Sequence, residues 1–476
     1  MIYFKFNMLS ERQRKLILIT TSLASFLTPF SSSVITFAVP RIGEIFRANF
    51  FTVVWVPLAY LIPLPSLMIL FGRLSDIYGR VKLFRLGFII FLISMTLIIF
   101  SVNIYMLISL VFLAGISGAL IGTNATAIIS HVYPANKRGG ALGINAMSVY
   151  LGLTFSPFLG GVLIQFFDWQ SVFLVTIPIV ITALLISIFS LRDIDFKNKK
   201  ENLDVMGAVI FTSSLISIVL YLSFSEIYGW FSMIFLLILG ITLLILFIFY
   251  ERKVKEPLID ISLFTKNRTF AASNISAFLN YISTYSIVFI FSIYLQVFLK
   301  YSPFQAGMVL VADPIFMVIF SPISGRLADK YGSRIMASLG MTVIGISFLI
   351  LSWIKITNVY DIIIPLSFIG IGFGFFTAPN TNSVMGSVPR ERFGIASGTL
   401  GTMRFTGQIL SISVASAILS NALPRKILLG IFTGIMQSAS VVYLNEFISG
   451  FKIAMLFSGL MSLLGAYASL LRNKNA

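Results

Sequence analysis

Fourteen apolar runs, most of them about 20 residues long, constrain this chain more than any other feature of its sequence. A helix of roughly 20 apolar residues crosses the ~30 Å of bilayer hydrocarbon, and it satisfies its own backbone N–H and C=O groups, as lipid demands. The runs lie near 16–39, 51–71, 84–102, 105–130, 140–164, 171–191, 205–224, 230–250, 269–299, 303–324, 335–354, 360–385, 394–420 and 447–471. Only 11% of the residues are charged, against 58% apolar, and the mean hydropathy is +0.98. A soluble domain carries about 25% charged residues, so the expected class is an all-α polytopic membrane protein.

The net charge of +17 does not point to a nucleic acid. About 26 of the 34 Lys and Arg residues fall in the N-terminal segment, the even-numbered turns and the C-terminal tail. That bias sets membrane orientation with basic segments cytoplasmic, so both termini are expected in the cytoplasm. Met1–Lys15 resembles a signal peptide in charge, but the apolar run after it continues to Pro40, which reads as an uncleaved span. With no cysteine and one histidine, His131, neither a disulfide framework nor a metal site is expected. His131 reads as a proton relay or a solvated helix-end residue. The segment 421–446, with Arg425 and Lys426, reads as an outer loop holding an interfacial helix. The segments 192–204 and 251–268 read as solvated connectors.

Two repeats indicate an internal duplication. Gly72-Arg73-Leu74-Ser75-Asp76-Ile77-Tyr78-Gly79-Arg80 recurs 253 residues later as Gly325-Arg326-Leu327-Ala328-Asp329-Lys330-Tyr331-Gly332-Ser333, identical at six of nine positions. Pro134-x-x-Lys137-x-Gly139-x-Ala141-x-Gly143 recurs as Pro389-x-x-Arg392-x-Gly394-x-Ala396-x-Gly398. The expected division is a six-helix bundle over 1–191, a two-helix insertion with its linkers over 192–268, and a second six-helix bundle over 269–476.

The loop Gly72–Arg80 resembles the signature loop of the major facilitator superfamily. Two six-helix units with two intervening spans resemble its fourteen-helix drug:proton antiporter branch. Trp55 and Tyr60 fit the Trp-x-x-x-x-Tyr pattern of that branch. Gly152-x-x-x-Ser156-Pro157-x-x-Gly160-Gly161 looks like its antiporter motif, and Asp168-Trp169-x-x-x-Phe173 like the usual flank. Three positions depart from the pattern: Ser31 stands where an Asp is usual, Leu110–Ala114 has no Arg, and Ser156 replaces a Gly.

The resemblance implies that Gly72, Arg73, Asp76, Gly79 and Arg80 latch the halves together when the cytoplasmic side is closed. Gly325, Arg326, Asp329 and Gly332 are expected to do the same in the second half. Gly152, Ser156, Pro157, Gly160 and Gly161 place small residues on one helix face for close packing, and the resemblance adds a bias toward export. Asp313 is the only acidic residue near the centre of a span, where an ionised carboxylate costs at least ~2.5 kcal/mol. It is the candidate proton carrier, with Arg404 at comparable depth. A structural Asp313–Arg404 ion pair and a neutral, hydrogen-bonded Asp313 are the alternatives. Ser31, Ser32, Asn124, Asn280, Tyr281, Tyr285 and Asn380 are the candidate substrate-pocket residues, suited to an amphiphilic small molecule.

The function expected is proton-coupled efflux of lipophilic or amphiphilic molecules by a monomer in the plasma or inner membrane. It is driven by the proton gradient with no bound cofactor, and no ATP loop is present. The alternative is a proton-coupled uptake symporter of a small neutral metabolite on the same fold. A membrane-embedded enzyme lacks a constellation of reactive groups at depth, since only Asp313 and Arg404 qualify. A passive channel would show no saturable, gradient-driven turnover.

Overall fold

In a computed structural model of the chain, the described residues are 10–48, 50–191, 203–255, 257–259, 261–356, 358–422 and 443–473. Every regular element among them is helical. The first group is α1 (Glu11–Ile45), α2 (Phe50–Leu61), α3 (Pro63–Tyr78), α4 (Arg80–Ile98), α5 (Ile104–Val132), α6 (Ala135–Phe167) and α7 (Thr176–Ser190). Two helices follow, α8 (Val205–Tyr228) and α9 (Trp230–Glu251). The last group is α10 (Arg268–Thr284), α11 (Pro303–Leu310), α12 (Ala312–Tyr331), α13 (Ser333–Trp353), α14 (Tyr360–Gly386), α15 (Phe393–Ala422) and α16 (Leu444–Leu470). Among the described residues, twelve helical stretches are long and apolar enough to cross a bilayer. The expected fifth and thirteenth runs are occupied by α6 and α15, the glycine-bearing helices of 33 and 30 residues that carry the second repeat.

Helix starts follow local capping chemistry. Ser10 and Ser302 each form a reciprocal capping box with a glutamine, Gln13 and Gln305. Asn103, Asp204 and Asn267 cap α5, α8 and α10 through their side-chain oxygens. The expected loop Gly72–Arg80 is corrected by the structure: Gly72–Tyr78 are the last two turns of α3, and the turn is Gly79 alone, at φ +105°. Gly332 ends α12 the same way at φ +89°. Only glycine takes such a backbone cheaply, so the charges in these motifs sit on helix, not loop. Part of the expected 421–446 feature lies outside the described residues.

Two apolar cores form, one among α1–α7 and one among α10–α16, the latter also taking in Ala146, Val149 and Tyr150 of α6. α3 packs along α15, and α12 along α6. The insertion helix α8 lies against both groups: Phe224 stacks on Trp55 at 4.5 Å, and Ser413 of α15 donates to the Leu222 carbonyl at 2.8 Å. Its partner α9 presents most of its apolar surface outward.

The expectation that 251–268 is a solvated connector does not hold at its start. Leu258 and Ile259 are buried against Ile69 and Phe211, and the Ile259 N–H donates to Glu251 Oε1 at 2.8 Å. Asp204 and Glu251 are buried too, converging over Gly207, where a Cβ would meet both carboxylates. At the opposite end of the molecule, Arg41 Nε donates to Asp168 Oδ1 at 3.0 Å and joins the ends of α1 and α6. That hydrogen bond holds the Asp168 carboxyl below the usual carboxylate range.

Candidate functional site

The glycines of the two repeats meet each other. A Cβ on Gly72 would strike the Gly394 carbonyl, and one on Gly325 the Gly139 carbonyl. Gly398 lies on the Met68 backbone, and Gly143 on that of Ser321 at 2.6 Å. Each contact therefore has its counterpart one repeat away, so the same interface is built twice, with the roles of the halves exchanged. Small residues at these positions let the backbones touch.

Each contact is closed by a carboxylate. Asp76 accepts the N–H groups of Gly394 (2.9 Å) and Ile395 (3.0 Å) at the N-terminus of α15. Asp329 accepts those of Gly139 (2.8 Å) and Gly140 (2.9 Å) at the N-terminus of α6. A carboxylate there meets the positive end of the helix dipole, and Asp76 also meets amide donors of the first turn of α15. Asp76 is also paired with Arg80 at 2.7 Å, both side chains 2% exposed. Arg80 reaches on to the Arg390 carbonyl at 2.7 Å and to His131 Nδ1 at 2.9 Å. A guanidinium can only donate, so Nδ1 is unprotonated. His131 is thus a buried partner of Arg80 rather than a solvated end residue.

The second latch has Ser333 where the first has Arg80, and takes its cation from the facing half. Arg138 of α6 donates to Asn382 Oδ1 of α14 at 2.7 Å and attracts Asp329 electrostatically. Arg73 is buried and Arg326 exposed.

Between the two groups of helices lies a cavity of about 100 Å³. One side is α1, α3, α5 and α6, with Ser25, Met68, Gly122 and Asn145; the other is α10, α14 and α15, with Tyr281, Phe376, Asn380 and Arg404. Sites for drug-sized ligands usually measure ~300–1,000 Å³, so the cavity is smaller than such a site. Among the described residues Arg404 is the only charged one on its wall, with its guanidinium 5.4 Å from the Tyr281 ring and 5.3 Å from that of Phe405. Beside the cavity, Tyr150 bridges the halves by donating to Thr377 Oγ1 at 2.6 Å.

Of the residues singled out from sequence, Tyr281, Asn380 and Arg404 meet at this cavity. Ser31, Ser32, Asn124, Asn280 and Tyr285 do not line it. Ser31 and Asn124 are fully buried, and Asn124 and Ser32 donate to carbonyls of their own helices. Asn280 Nδ2 contacts Met341 Sδ at 3.1 Å, and Tyr285 is half-buried at the end of α10.

Asp313 is buried in the first turn of α12, away from the cavity wall, with Gly370 of α14 packed on its backbone carbonyl. No ion pair joins it to Arg404 among the described residues, so that structural alternative is not formed. Gly152 and Ser156 pack on α1, where a Cβ on Gly152 would lie 2.6 Å from the Phe26 carbonyl and Ser156 Oγ lies 3.4 Å from that of Phe30. Pro157, Gly160 and Gly161 continue the same helix.

Sequence reasoning missed Asn145, Tyr150, Arg138 and Arg472. Asn145 and Arg138 carried a signal, since both fall inside or beside the Gly139–Gly143 repeat. Arg472, two residues past α16, carried none.

A family model described as Major Facilitator Superfamily matches residues 21–250, 198–411 and 273–465. The "Riboflavin transporter RibZ" of Clostridioides difficile (strain 630) is 30% identical over 419 residues, 87% of this chain and 90% of that protein. "Multidrug transporter protein MdtP" of Bacillus subtilis (strain 168) is 26% identical over 86% of this chain and 76% of its own. Among solved structures, the human organic anion transporter MFSD10 superposes with a TM-score of 0.67 at 14% identity, covering 97% of this chain and 100% of that one. The proton:xylose symporter XylE gives 0.65 at 13% identity, covering 96% and 95%. Duplicated glycine–carboxylate contacts between the halves, the helical architecture and the matching family model lead to one assignment: the chain belongs to the Major Facilitator Superfamily, as a multi-pass membrane transporter and not an enzyme.

Proposed function

We propose that the protein is a fourteen-span secondary transporter that exports amphiphilic small molecules in exchange for protons. The observation that carries this reading is the central cavity walled by helices from both repeats, with the Asp76 and Asp329 contacts joining the same two repeats. Duplicated transporters work by rocking two such units about a midplane site. Breaking both latches opens the cavity to the basic, cytoplasmic face, where both termini lie, and remaking them returns it to the closed form.

In this reading 1–191 and 269–476 are the moving bundles, and α8 and α9 within 192–268 are the added pair. Asp313 carries the proton, and Arg404 senses charge in the cavity. The monomer suffices because one chain supplies both walls. Relatives named as multidrug proteins support export. One observation favours a second reading, proton-coupled movement of a single metabolite: the cavity wall holds a cation and no carboxylate, and a relative is named a riboflavin transporter.

Proteoliposomes loaded with a dye panel under an imposed pH gradient test the proposal. The wild type is expected to move at least one dye uphill, and Asp313→Asn to lose uphill movement while retaining downhill exchange. Uphill pumping by Asp313→Asn removes the carboxylate from the mechanism.

A further inference from the structure

The two amides on the cavity wall present opposite edges. Asn145 Nδ2 donates to the Thr21 carbonyl at 3.1 Å and to Ser25 Oγ at 2.8 Å, both on α1. A backbone carbonyl can only accept, which fixes the amide's orientation. Both amide protons are spent within the first half, and Asn145 has its carbonyl Oδ1 left to offer the cavity.

Asn380 is held the other way round. Its Oδ1 accepts a hydrogen bond from Arg472 Nη2. A guanidinium has no acceptor, so the NH2 is the edge left for the cavity. Arg472 is 2% exposed although it lies beyond α16, and it also donates to Ser469 Oγ at 2.9 Å. Burial lowers its pKa to about 9, so it remains a charged donor at neutral pH. The wall therefore offers an acceptor from one half, donors from the other, and the positive charge of Arg404.

We propose that the cavity takes an uncharged planar heterocycle carrying a lactam or cyclic imide, with Asn145 Oδ1 accepting its ring N–H and Asn380 Nδ2 donating to its ring carbonyl. Arg472 is the positioning residue that sets the polarity of Asn380 from outside the cavity. A lactam presents an N–H and a C=O side by side on one rigid edge, and so complements an acceptor and a donor together. A planar cation with no carbonyl leaves the Asn380 NH2 without an acceptor and meets Arg404 with like charge, a wrong-partner cost of the kind that builds selectivity. Tyr281 and Phe376 supply ring faces for stacking. This inference rests on the reading of the central cavity as the transport site.

The test uses the full chain in nanodiscs with three fluorescent probes: riboflavin, its N3-methyl derivative with the imide N–H blocked, and the planar cation ethidium. Riboflavin is expected to bind at least about tenfold more tightly than the N3-methyl compound, the scale of one hydrogen bond to a buried site. Ethidium should not compete. Asn145→Ala should bring the two flavins within about twofold of each other, a ratio taken within one protein and so insensitive to folding. Arg472→Met should narrow the ratio as well, and Arg472→Lys, which keeps a donor, should restore most of it.

Equal binding of the two flavins by the wild type overturns the proposal, as does binding of ethidium alone or of none of the three. The transport-site reading fails separately: Ala146→Trp fills the cavity, and undiminished uphill transport of any dye by that variant would show that the site lies elsewhere.

Discussion

Asp76 accepts a hydrogen bond from the backbone N–H of Gly394, a residue more than three hundred positions away, at 2.9 Å. The bond works because Gly72 and Gly394 lack side chains and let α3 and α15 touch. Contact between the halves here involves two kinds of residue, glycines that permit it and carboxylates that bond across it. The first latch carries its own arginine within the motif, and the second borrows Arg138 from across the seam. The two should fail to different degrees.

Asp76→Asn should weaken the closed form more than Asp329→Asn. The first leaves Arg80 buried without its carboxylate, and removing one partner of a buried pair costs about 3–5 kcal/mol. The second loses charge-assisted bonds at a half-buried site, about 1.5–3 kcal/mol. The chain has no cysteine, so one engineered at Ser397 on the cavity wall reports opening directly. Its maleimide labelling rate from the basic face should rise strongly in Asp76→Asn and modestly in Asp329→Asn; equal rates in both variants and the wild type would mean that neither carboxylate holds the face shut.

Gly394→Ala tests the other component. Its Cβ would lie 2.5 Å from Asp76 Oδ1 and closer still to the Gly72 carbonyl, so the helices must part. The closed form should be lost while each bundle stays folded. The expected signature is fast labelling of the same cysteine, lost uphill transport and a melting midpoint close to that of wild type. A midpoint lowered as far as by a core deletion would mean that the glycine serves folding rather than closure.

How much of this was legible in the sequence depends on the range of each interaction. The repeats were readable because glycines four residues apart on a helix have few reasons to recur except backbone contact. Fold and family followed from them and from the apolar runs. The roles of Asn145 and Asn380 were not readable, since an amide's polarity on the cavity wall is set by Thr21, Ser25 and Arg472, which only the folded bundle brings close. Asn124 looked like a pocket residue from composition alone, yet it turns back to its own helix at Leu120. Glu251 looked solvated because its neighbours are charged. The chain then folds back, and Leu258 and Ile259 cover it.

Glu251 should tolerate glutamine but not alanine. Glutamine keeps an acceptor for the Ile259 N–H, bonded at 2.8 Å, and removes one of two acids that converge over Gly207. Alanine leaves that N–H buried and unpaired, at a cost of about 1–3 kcal/mol. Thermal melts in detergent should place Glu251→Gln at or above the wild type and Glu251→Ala clearly below it. The reverse order would show that a negative charge, not an acceptor, is needed there.

The Arg41–Asp168 pair sets a pH dependence whose sign can be worked out. The hydrogen bond from Arg41 lowers the folded-state pKa of Asp168 below the ordinary carboxylate value, which is about 3.9 in an unfolded chain. A depressed acid contributes its full stability above the unfolded pKa and loses it as pH falls through the folded one. Both side chains are more than a third exposed, so solvent screening keeps the contribution small. The melting difference between wild type and Asp168→Asn should therefore be small and constant from neutral pH down to about pH 5, and should close in the range below about pH 4. It should also shrink with added salt at neutral pH. A difference that instead grew on acidification would mean that the protonated acid, not the ion pair, holds α1 to the end of α6.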